Sequence, residues 1–317
     1  IMKNTPADLL NTKYNKSFCI KPFTEISNSA IGERMLCCRS EPVIRHEHIG
    51  KNITEDFFNH SAMHEIRRKM IAGELVKECD ICLATEAGNG TSHRTRIMRK
   101  AMDEIPEIVD DIYQNETVTL LSLDIRFGTK CNLACVMCGP GSSSLIAKEI
   151  NHPQLEFGLN DFSLDQIKLH ASEIRQFKTT GGEPMLLPAY KKTLEFLVES
   201  GHSEHIEFTT ITNGTIDFTD MLPLMNKFKV FKVSISLDAA DINYNYVRYP
   251  GTFSRVERIH KRITDAAKQY KNVELEFGAT IHALNINQPV KIAKYLATIG
   301  CEDSYSLEYV RHPKFMQ

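Results

Sequence analysis

The chain has 317 residues, enough for one large or two modest domains with a proper core. Charged residues make up 25% and the net charge is −2, which argues against nucleic acid as a partner; no apolar run approaches the ~20 residues of a membrane span, and none resembles a signal peptide. Nine cysteines without a secretory signal, eight of them arranged as Cys19, Cys37/Cys38, Cys79/Cys82 and Cys131/Cys135/Cys138 and Cys301 alone, favour metal or cluster ligation over disulfides and imply a reducing cytoplasm.

Residues 1–117 read as a small domain rich in Asn, Lys, Glu and His, with short strand-like runs and helical segments near 61–73 and 92–103. Within it His46, His48 and His60 show no metal spacing and read as solvated, and Arg67-Arg68-Lys69 reads as an exposed helix face. The acidic run from Asp103 to Ile112 marks the boundary to a second domain, 118–317. From residue 119 onward strand-like and helix-like patterns alternate, which argues a parallel sheet with crossover helices. The strands are expected at 119–127, 174–180, 205–212, 229–237, 273–281 and 303–310. Periodicity alone permits a doubly wound sheet as well as a barrel.

Three of the intervening helices are well marked. One runs from Pro188 to Ser200 with Tyr190, Leu194 and Leu197 on one face and Gly201 as its stop. A second begins at a Ser254-x-x-Glu257 capping box and buries Val256, Ile259, Ile263 and Ala267. The third has Pro289 in its first turn, a stripe of Ile292, Leu296 and Ile299, and Gly300 at its end. Cys301, which follows, reads as a small buried apolar residue. In the first strand Leu121, Leu123 and Ile125 alternate with Ser122, Asp124 and Arg126; in the fourth Val233, Ile235 and Leu237 alternate with Ser234, Ser236 and Asp238. A parallel strand buried on both faces should be almost continuously apolar. If the sheet closes as a barrel, these polar faces line a wet lumen, with Asp124 and Arg126 on the substrate side.

The run CNLACVMC places Cys131, Cys135 and Cys138 in CxxxCxxC spacing just after the first strand. Three thiolates so close together can hold three irons of a 4Fe–4S cluster and leave the fourth open. Some fifty residues further on, at the end of the next expected strand, stands Gly181-Gly182-Glu183-Pro184. The combination closely resembles the radical S-adenosylmethionine (radical SAM) enzymes. That resemblance implies an α/β fold, a partial (β/α)6 TIM-type barrel, and an open iron chelated by the amino and carboxylate groups of SAM. The Gly181-Gly182-Glu183-Pro184 turn would contact the amino group: the glycines would let the backbone approach SAM, and Glu183 could pair with the ammonium. Met137 stands where the superfamily commonly has an aromatic residue near the adenine. Thr212-Asn213-Gly214 is either a SAM contact or an ordinary Asn-Gly turn. At the end of the fourth strand come Ser234, Ser236 and Asp238, where a serine of related enzymes binds the ribose. Arg248 follows, with a planar fork suited to the SAM carboxylate.

Cys19, Gly32 and Cys37 fit the Cys…GxxxxC half-motif of the auxiliary-cluster domains called SPASM and, when shortened, twitch, and Cys79-Asp-Ile-Cys82 would close the set. Four thiolates suit either a second 4Fe–4S cluster or a tetrahedral zinc; the neighbouring radical SAM motif favours iron–sulfur by analogy. Cys38, adjacent to Cys37, is a spare or substitute ligand. Glu86-Ala-Gly88 and Ser92-His-Arg94 resemble the E-x-G…S-x-R tail of a group of twitch-containing proteins, as do Cys138-Gly139-Pro140 and Ser142-Ser143-Ser144. The first domain is thus expected to be a small α+β twitch-like unit, placed before the core where such extensions usually follow it. The function implied is reductive cleavage of SAM to a 5′-deoxyadenosyl radical that abstracts hydrogen from a peptide or protein side chain, with electrons from a donor such as flavodoxin or ferredoxin. The alternatives are the same chemistry on a small polar metabolite such as a sugar or nucleoside, or a non-catalytic zinc-ribbon module.

Overall fold

A computed structural model describes residues 12–45, 55–152 and 164–310; His46 and His48 lie outside them. The chain divides into two compact units, Ile1–Asp124 and Ile125–Gln317, the division falling inside a strand.

The first unit starts with a single helical turn, α1 (Lys21–Thr24), and three short strands, β1 (Glu25–Asn28), β2 (Arg34–Met35) and β3 (Pro42–Ile44). β1 pairs antiparallel with β2, and β2 with β3; on its other side β1 runs parallel to the first three residues of β4 (Ser122–Arg126). The β1–β2 turn includes Gly32 at φ +91°, a conformation that costs glycine little. The expected helical segments appear as α2 (Ser61–Ile71) and α4 (His93–Glu104). Two further helices were not foreseen: α3 (Asp80–Ala87) and α5 (Pro106–Asn115). α5 occupies the acidic run assigned to a boundary; Pro106 opens it and Val109 and Ile112, spaced on one face, are fully buried. Its acidic residues form the solvent side of an amphipathic helix.

Two expectations in this unit are corrected. Arg67 is only 3% exposed, and its guanidinium donates to the carbonyls of Pro22, at 3.3 Å, and Phe58; burial draws its pKa down to about 10. His60 is not merely solvated: its Nδ1 accepts from the Ala62 N–H at 3.2 Å and caps α2.

In the second unit all the expected strands are present, as the end of β4 and as β5 (Gln176–Thr180), β6 (Glu207–Thr212), β7 (Val230–Ser236), β8 (Val273–Ile281) and β9 (Tyr305–Tyr309). They neighbour one another in sequence order, and the pairs from β5 to β9 are parallel. An order without reversal has no switch point, so the doubly wound alternative is excluded and the winding is that of an open (β/α)6 barrel. The connecting helices are α6 (Ser144–Glu149), α7 (Leu164–His170), α8 (Pro188–Glu199), α9 (Leu222–Met225), α10 (Asn243–Val247), α11 (Phe253–Ala267) and α12 (Pro289–Thr298).

α8 and α12 bury the expected stripes and end at Gly201 (φ +76°) and Gly300 (φ +70°). α11 differs. Thr252, not Ser254, is its cap residue and makes no side-chain cap bond; the Phe253 N–H donates instead to Asn245 Oδ1 at 2.8 Å. His260 is fully buried where Ile259, half-buried, was expected. Cys301 is likewise half-buried.

A ladder of rings crosses the sheet in register. Phe177 stacks on Phe208 at 4.7 Å and Phe208 on Phe231 at 4.9 Å, on neighbouring strands, and Phe228 meets Phe208 edge-on at 5.2 Å. All four rings are at most 1% exposed. Phe208 is the shared member, so Phe208→Ala should cost ~3–5 kcal/mol in urea unfolding, the scale of a buried aromatic truncation. A loss under 1 kcal/mol would show that the ladder does not carry the core.

Candidate functional site

The three core cysteines lie on the loop between β4 and α6, held from several sides. Cys138 N–H donates to Cys135 O at 2.9 Å, Ala134 N–H to Tyr249 O at 2.6 Å and Val136 N–H to Val247 O at 3.0 Å. Ser143 and Ser144 fasten the loop to the start of α6: Ser143 Oγ donates to Leu133 O at 2.6 Å, and Cys131 N–H donates to Ser144 Oγ at 3.2 Å. All three thiols are free. Burial pushes each upward, Cys135 to about 12, while the Arg248 charge pulls Cys135 and Cys138 back.

The Gly181–Pro184 turn docks onto this loop. Gly182 N–H donates to Gly128 O at 2.9 Å and Glu183 N–H to Lys130 O at 2.8 Å. A Cβ on Gly182 would lie 2.2 Å from Lys130 O, and one on Gly181, at φ +126°, would lie 3.0 Å from Gly128 O. The space a Cβ would need at these two glycines is therefore filled by the cysteine loop and the end of β4. Pro184 is buried and opens the one-turn helix Pro184–Leu186.

Glu183 is fully buried and its carboxylate is well supplied with donors. Oε1 accepts from Thr212 Oγ1 at 2.8 Å and Met185 N at 3.2 Å, and Oε2 from Asn213 N at 2.7 Å. Burial raises its pKa more than these donors lower it. It anchors the Thr212–Gly214 turn. Asn213 in turn uses its whole amide: Nδ2 donates to Asn132 Oδ1 at 2.9 Å and faces Cys131 Sγ at 3.8 Å, while Oδ1 accepts from Thr215 N at 2.9 Å and Thr215 Oγ1 at 2.6 Å. Asn132 Nδ2 closes the ring on Thr215 Oγ1 at 2.9 Å.

Arg248 is 7% exposed and paired with Asp238, which is fully buried: Nε and Nη2 both reach Oδ2, at 2.7 and 2.6 Å. Asp238 Oδ1 accepts from Thr280 N at 2.7 Å, so the pair is tied to β8. Burial lowers the Arg248 pKa, but Asp238 beside it prevails and the net shift is upward. Ser234 and Ser236 are half-buried on one face of β7, and Met137 is half-buried between Cys135 and Cys138. Arg126, at the end of β4, is half-buried.

Sequence reasoning missed Asn132, Thr215 and Tyr244. Asn132 and Thr215 carry a faint signal, as hydrogen-bonding residues inside the cysteine motif and directly after Thr212-Asn213-Gly214. Tyr244, one helical turn before Arg248, is fully buried; its hydroxyl has no hydrogen-bond partner among the described residues, and Arg248 and Cys135 act on it electrostatically.

In the first unit Asp124 is 1% exposed. Cys19 precedes α1, Cys37 follows β2, Cys79 is the cap residue of α3 and Cys82 lies in its first turn. Burial raises Cys19 to about 11, and Cys82 acts on it electrostatically; Cys19 acts likewise on Cys37 and Cys79. Cys38 also acts electrostatically on Cys37, ahead of Cys19, and its sulfur stands 3.8 Å from His93 Nε2. Glu86, Ser92 and Arg94 of the E-x-G…S-x-R pattern form one cluster with buried side chains, while Gly88 is exposed. Arg94 Nε and Nη2 meet Glu86 Oε1 and Oε2 at 3.0 and 2.5 Å, Ser92 Oγ donates to Glu86 Oε1 at 2.5 Å, and Arg94 Nη1 donates to Phe18 O at 3.1 Å.

Each unit thus offers thiol donors of the kind an iron–sulfur cluster takes, free of disulfides. Among the described residues no three His, Cys, Asp or Glu side chains are gathered closely enough to hold a metal ion as they stand. A cluster binds each thiolate on a separate iron, so it takes a wider ring of sulfurs than the tetrahedron about one zinc. The donor sets fit such a cluster in type and number.

Residues 125–274 match the family model described as Radical SAM superfamily. This stretch is a radical SAM domain. Among solved structures, anSMEcpe with bound AdoMet is 25% identical, over 61% of this chain and 53% of that one, at a TM-score of 0.48. Streptococcus suis SuiB bound to precursor peptide SuiA is 15% identical, over 82% and 53%, at 0.47. TYW1 with a lysine–pyruvate adduct is 15% identical, over 60% and 66%, at 0.36. The matched part spans about half the length of the anSMEcpe and SuiB chains.

Two predictions follow from the packing of this domain. Gly182→Ala should lift the turn off the cysteine loop; iron bound per chain and thermal melting should both fall, and an unchanged iron content would mean that the loop is held without the turn. His260 touches Tyr295 OH at 3.3 Å, and its ring fills the space a Gly214 Cβ would need. Burial holds its pKa down at about 4. Unfolded, it protonates near pH 6.5, so its contribution is complete above that pH and is lost as the pH falls towards 4, to a limit of ~3 kcal/mol. Urea unfolding between pH 4 and 7.5 should show this slope in the native protein and a flatter one in His260→Gln.

Proposed function

We propose that the protein is a radical SAM enzyme acting on a peptide or protein side chain, with a second 4Fe–4S cluster held by Cys19, Cys37, Cys79 and Cys82. The carrying observation is that the docked Gly181–Pro184 turn, the Asn213 amide and the Arg248 guanidinium all act on the one loop that bears Cys131, Cys135 and Cys138. A cluster held there would supply, when reduced, the one electron needed to cleave SAM for hydrogen abstraction from substrate.

The chain's own part is positioning. Cys131, Cys135 and Cys138 would hold three irons and leave one open. Asn213 turns an N–H towards the Cys131 sulfur and so supports the thiolate form. Arg248, fixed by Asp238, keeps a permanent positive charge beside the loop, where a carboxylate of SAM would meet it. Ser234 and Ser236 offer hydroxyls for the ribose, and Met137 a soft wall for the adenine. Glu183 reaches the SAM site through the Asn213 turn that it holds. A ferredoxin or flavodoxin would supply electrons.

A peptide is favoured over a sugar or nucleoside by the surface of the second unit. Ile242, Tyr246, Tyr249, Leu284, Ile286 and Tyr309, in the segments around the carboxyl ends of β7, β8 and β9, are 44–78% exposed. Barrels of this kind take substrate at that end, and apolar side chains there suit a peptide. Ile281, Ala283, Ile286, Tyr309 and Val310, with His282, also line a 380 Å³ hollow there, the size of one or two side chains.

Anaerobic incubation with SAM, dithionite and candidate peptides should yield peptide-dependent 5′-deoxyadenosine. Cys131→Ala, Cys135→Ala and Cys138→Ala should each abolish it. A variant that still cleaves SAM at the native rate would remove that cysteine from the site, and release that responds only to a sugar or nucleoside would replace the substrate class.

A further inference from the structure

The first unit holds a buried ion pair that SAM chemistry does not explain. Arg94 and Glu86 have side chains only 3% and 8% exposed, and they meet through two parallel hydrogen bonds, the strongest arrangement open to this pair. Glu86 lies one helical turn after Cys82 on α3, so the carboxylate is fixed to the helix that begins at Cys79. Arg94 stands in the first turn of α4, whose cap residue Ser92 also donates to Glu86.

The same helix reaches the other half of the cysteine set. Arg94 Nη1 donates to the carbonyl of Phe18, and Ile20 N–H donates to the sulfur of Met98, one turn further along α4, at 3.2 Å. The peptide groups on both sides of Cys19 are therefore held by α4. Through Glu86, α4 is also joined to the helix of Cys79 and Cys82. A guanidinium can do this because its donors point in fixed, divergent directions; an ammonium on a flexible stem cannot serve a carboxylate fork and a separate carbonyl with the same geometry.

We propose that Arg94 and Glu86 are the positioning pair of the amino-terminal thiol site: they set the distance and orientation of Cys19 relative to Cys79 and Cys82, and so how firmly the site holds its metal. This rests on the reading of Cys19, Cys37, Cys79 and Cys82 as a metal site. Neither residue touches the metal in this scheme. Arg94 is nevertheless among the charges acting on Cys19 and Cys79, so moving it also changes the field at the bound group.

The test uses the full chain with Cys131, Cys135 and Cys138 all changed to Ala, so that any bound metal reports on the amino-terminal site alone. After anaerobic reconstitution this parent should hold about four irons, as for one fully ligated cluster. Arg94→Lys keeps the charge and loses the fork; Glu86→Gln keeps the shape and loses the charge. Well below the melting temperature, each should release iron to excess EDTA at least about tenfold faster than the parent, about 1.4 kcal/mol if read as a barrier change. The electron paramagnetic resonance spectrum of the reduced cluster should shift as well. Release rates and spectra equal to the parent's in both variants would overturn the proposal. So would faster release that merely follows a lowered melting temperature with an unaltered spectrum, since that is a general packing effect. A parent that holds zinc would remove the second iron–sulfur cluster but not the clamp, which zinc release from the same variants would then judge. A parent that holds no metal would remove both.

Discussion

Between the Cα of Gly182 and the carbonyl of Lys130 there is no room for even a methyl group, and the organisation of the radical SAM domain depends on that contact. The two glycines let a turn from the end of β5 lie against the loop that follows β4, and two backbone hydrogen bonds hold it there. Once docked, the turn points Glu183 inward, where its carboxylate gathers Thr212 and Asn213; Asn213 then reaches the Cys131 sulfur. Three strand ends are thus linked by short polar contacts to the first cysteine. A barrel places loops at one end, but it does not by itself fix their mutual geometry. Here a missing pair of Cβ atoms does so.

Each unit also buries one guanidinium with one carboxylate, Arg248 with Asp238 and Arg94 with Glu86. Burying such pairs costs desolvation that their attraction only partly offsets, so they are poor evidence for added stability. What they give is direction. Both carboxylates have a second donor, Thr280 N on Asp238 and Ser92 Oγ on Glu86, so each arginine is held against an already fixed partner. The arginine then cannot swing without leaving a buried charge unpaired. That makes both pairs suited to holding a loop or a helix still beside cysteine ligands.

Much of this was readable in the sequence. The strands of the second unit stand out because β-branched and aromatic runs alternate with helix patterns; only the strand order seen in the structure separates a barrel from a doubly wound sheet. The cysteine spacing and the Gly-Gly-Glu-Pro turn are local and survive as patterns. What was misread depended on distance in the fold. Nothing near Gly182 in sequence says that Lys130 will press against it, so this packing role of the glycines was not foreseen. Arg67 looks like surface because its neighbours Arg68 and Lys69 are charged; the carbonyls of Pro22 and Phe58 that accept from it are supplied by other segments. α5 was not foreseen as a helix because acidic residues outnumber its two buried apolar ones, Val109 and Ile112. Ser254 lost the cap to Thr252 because Asn245, eight residues before Phe253, supplies the oxygen that the first turn needs.

The side chain of Asn213 has two donors and two acceptor positions, and the fold uses all of them: donors towards Asn132 and Cys131, acceptors towards the two groups of Thr215. Its chemical lifetime therefore matters as much as its geometry. The residue after it is Gly214, which offers little steric protection against attack of the backbone nitrogen on the amide. The cyclic imide so formed would open to isoaspartate, which reroutes the backbone, or to aspartate, which would set a carboxylate against the Asn132 carbonyl and the Cys131 sulfur. The Gly214 N–H is meanwhile bonded to Thr212 Oγ1 at 3.2 Å, which holds back the attacking atom. One threonine hydroxyl thus supports the Glu183 anchor and also slows the ageing of the amide beside the first cysteine.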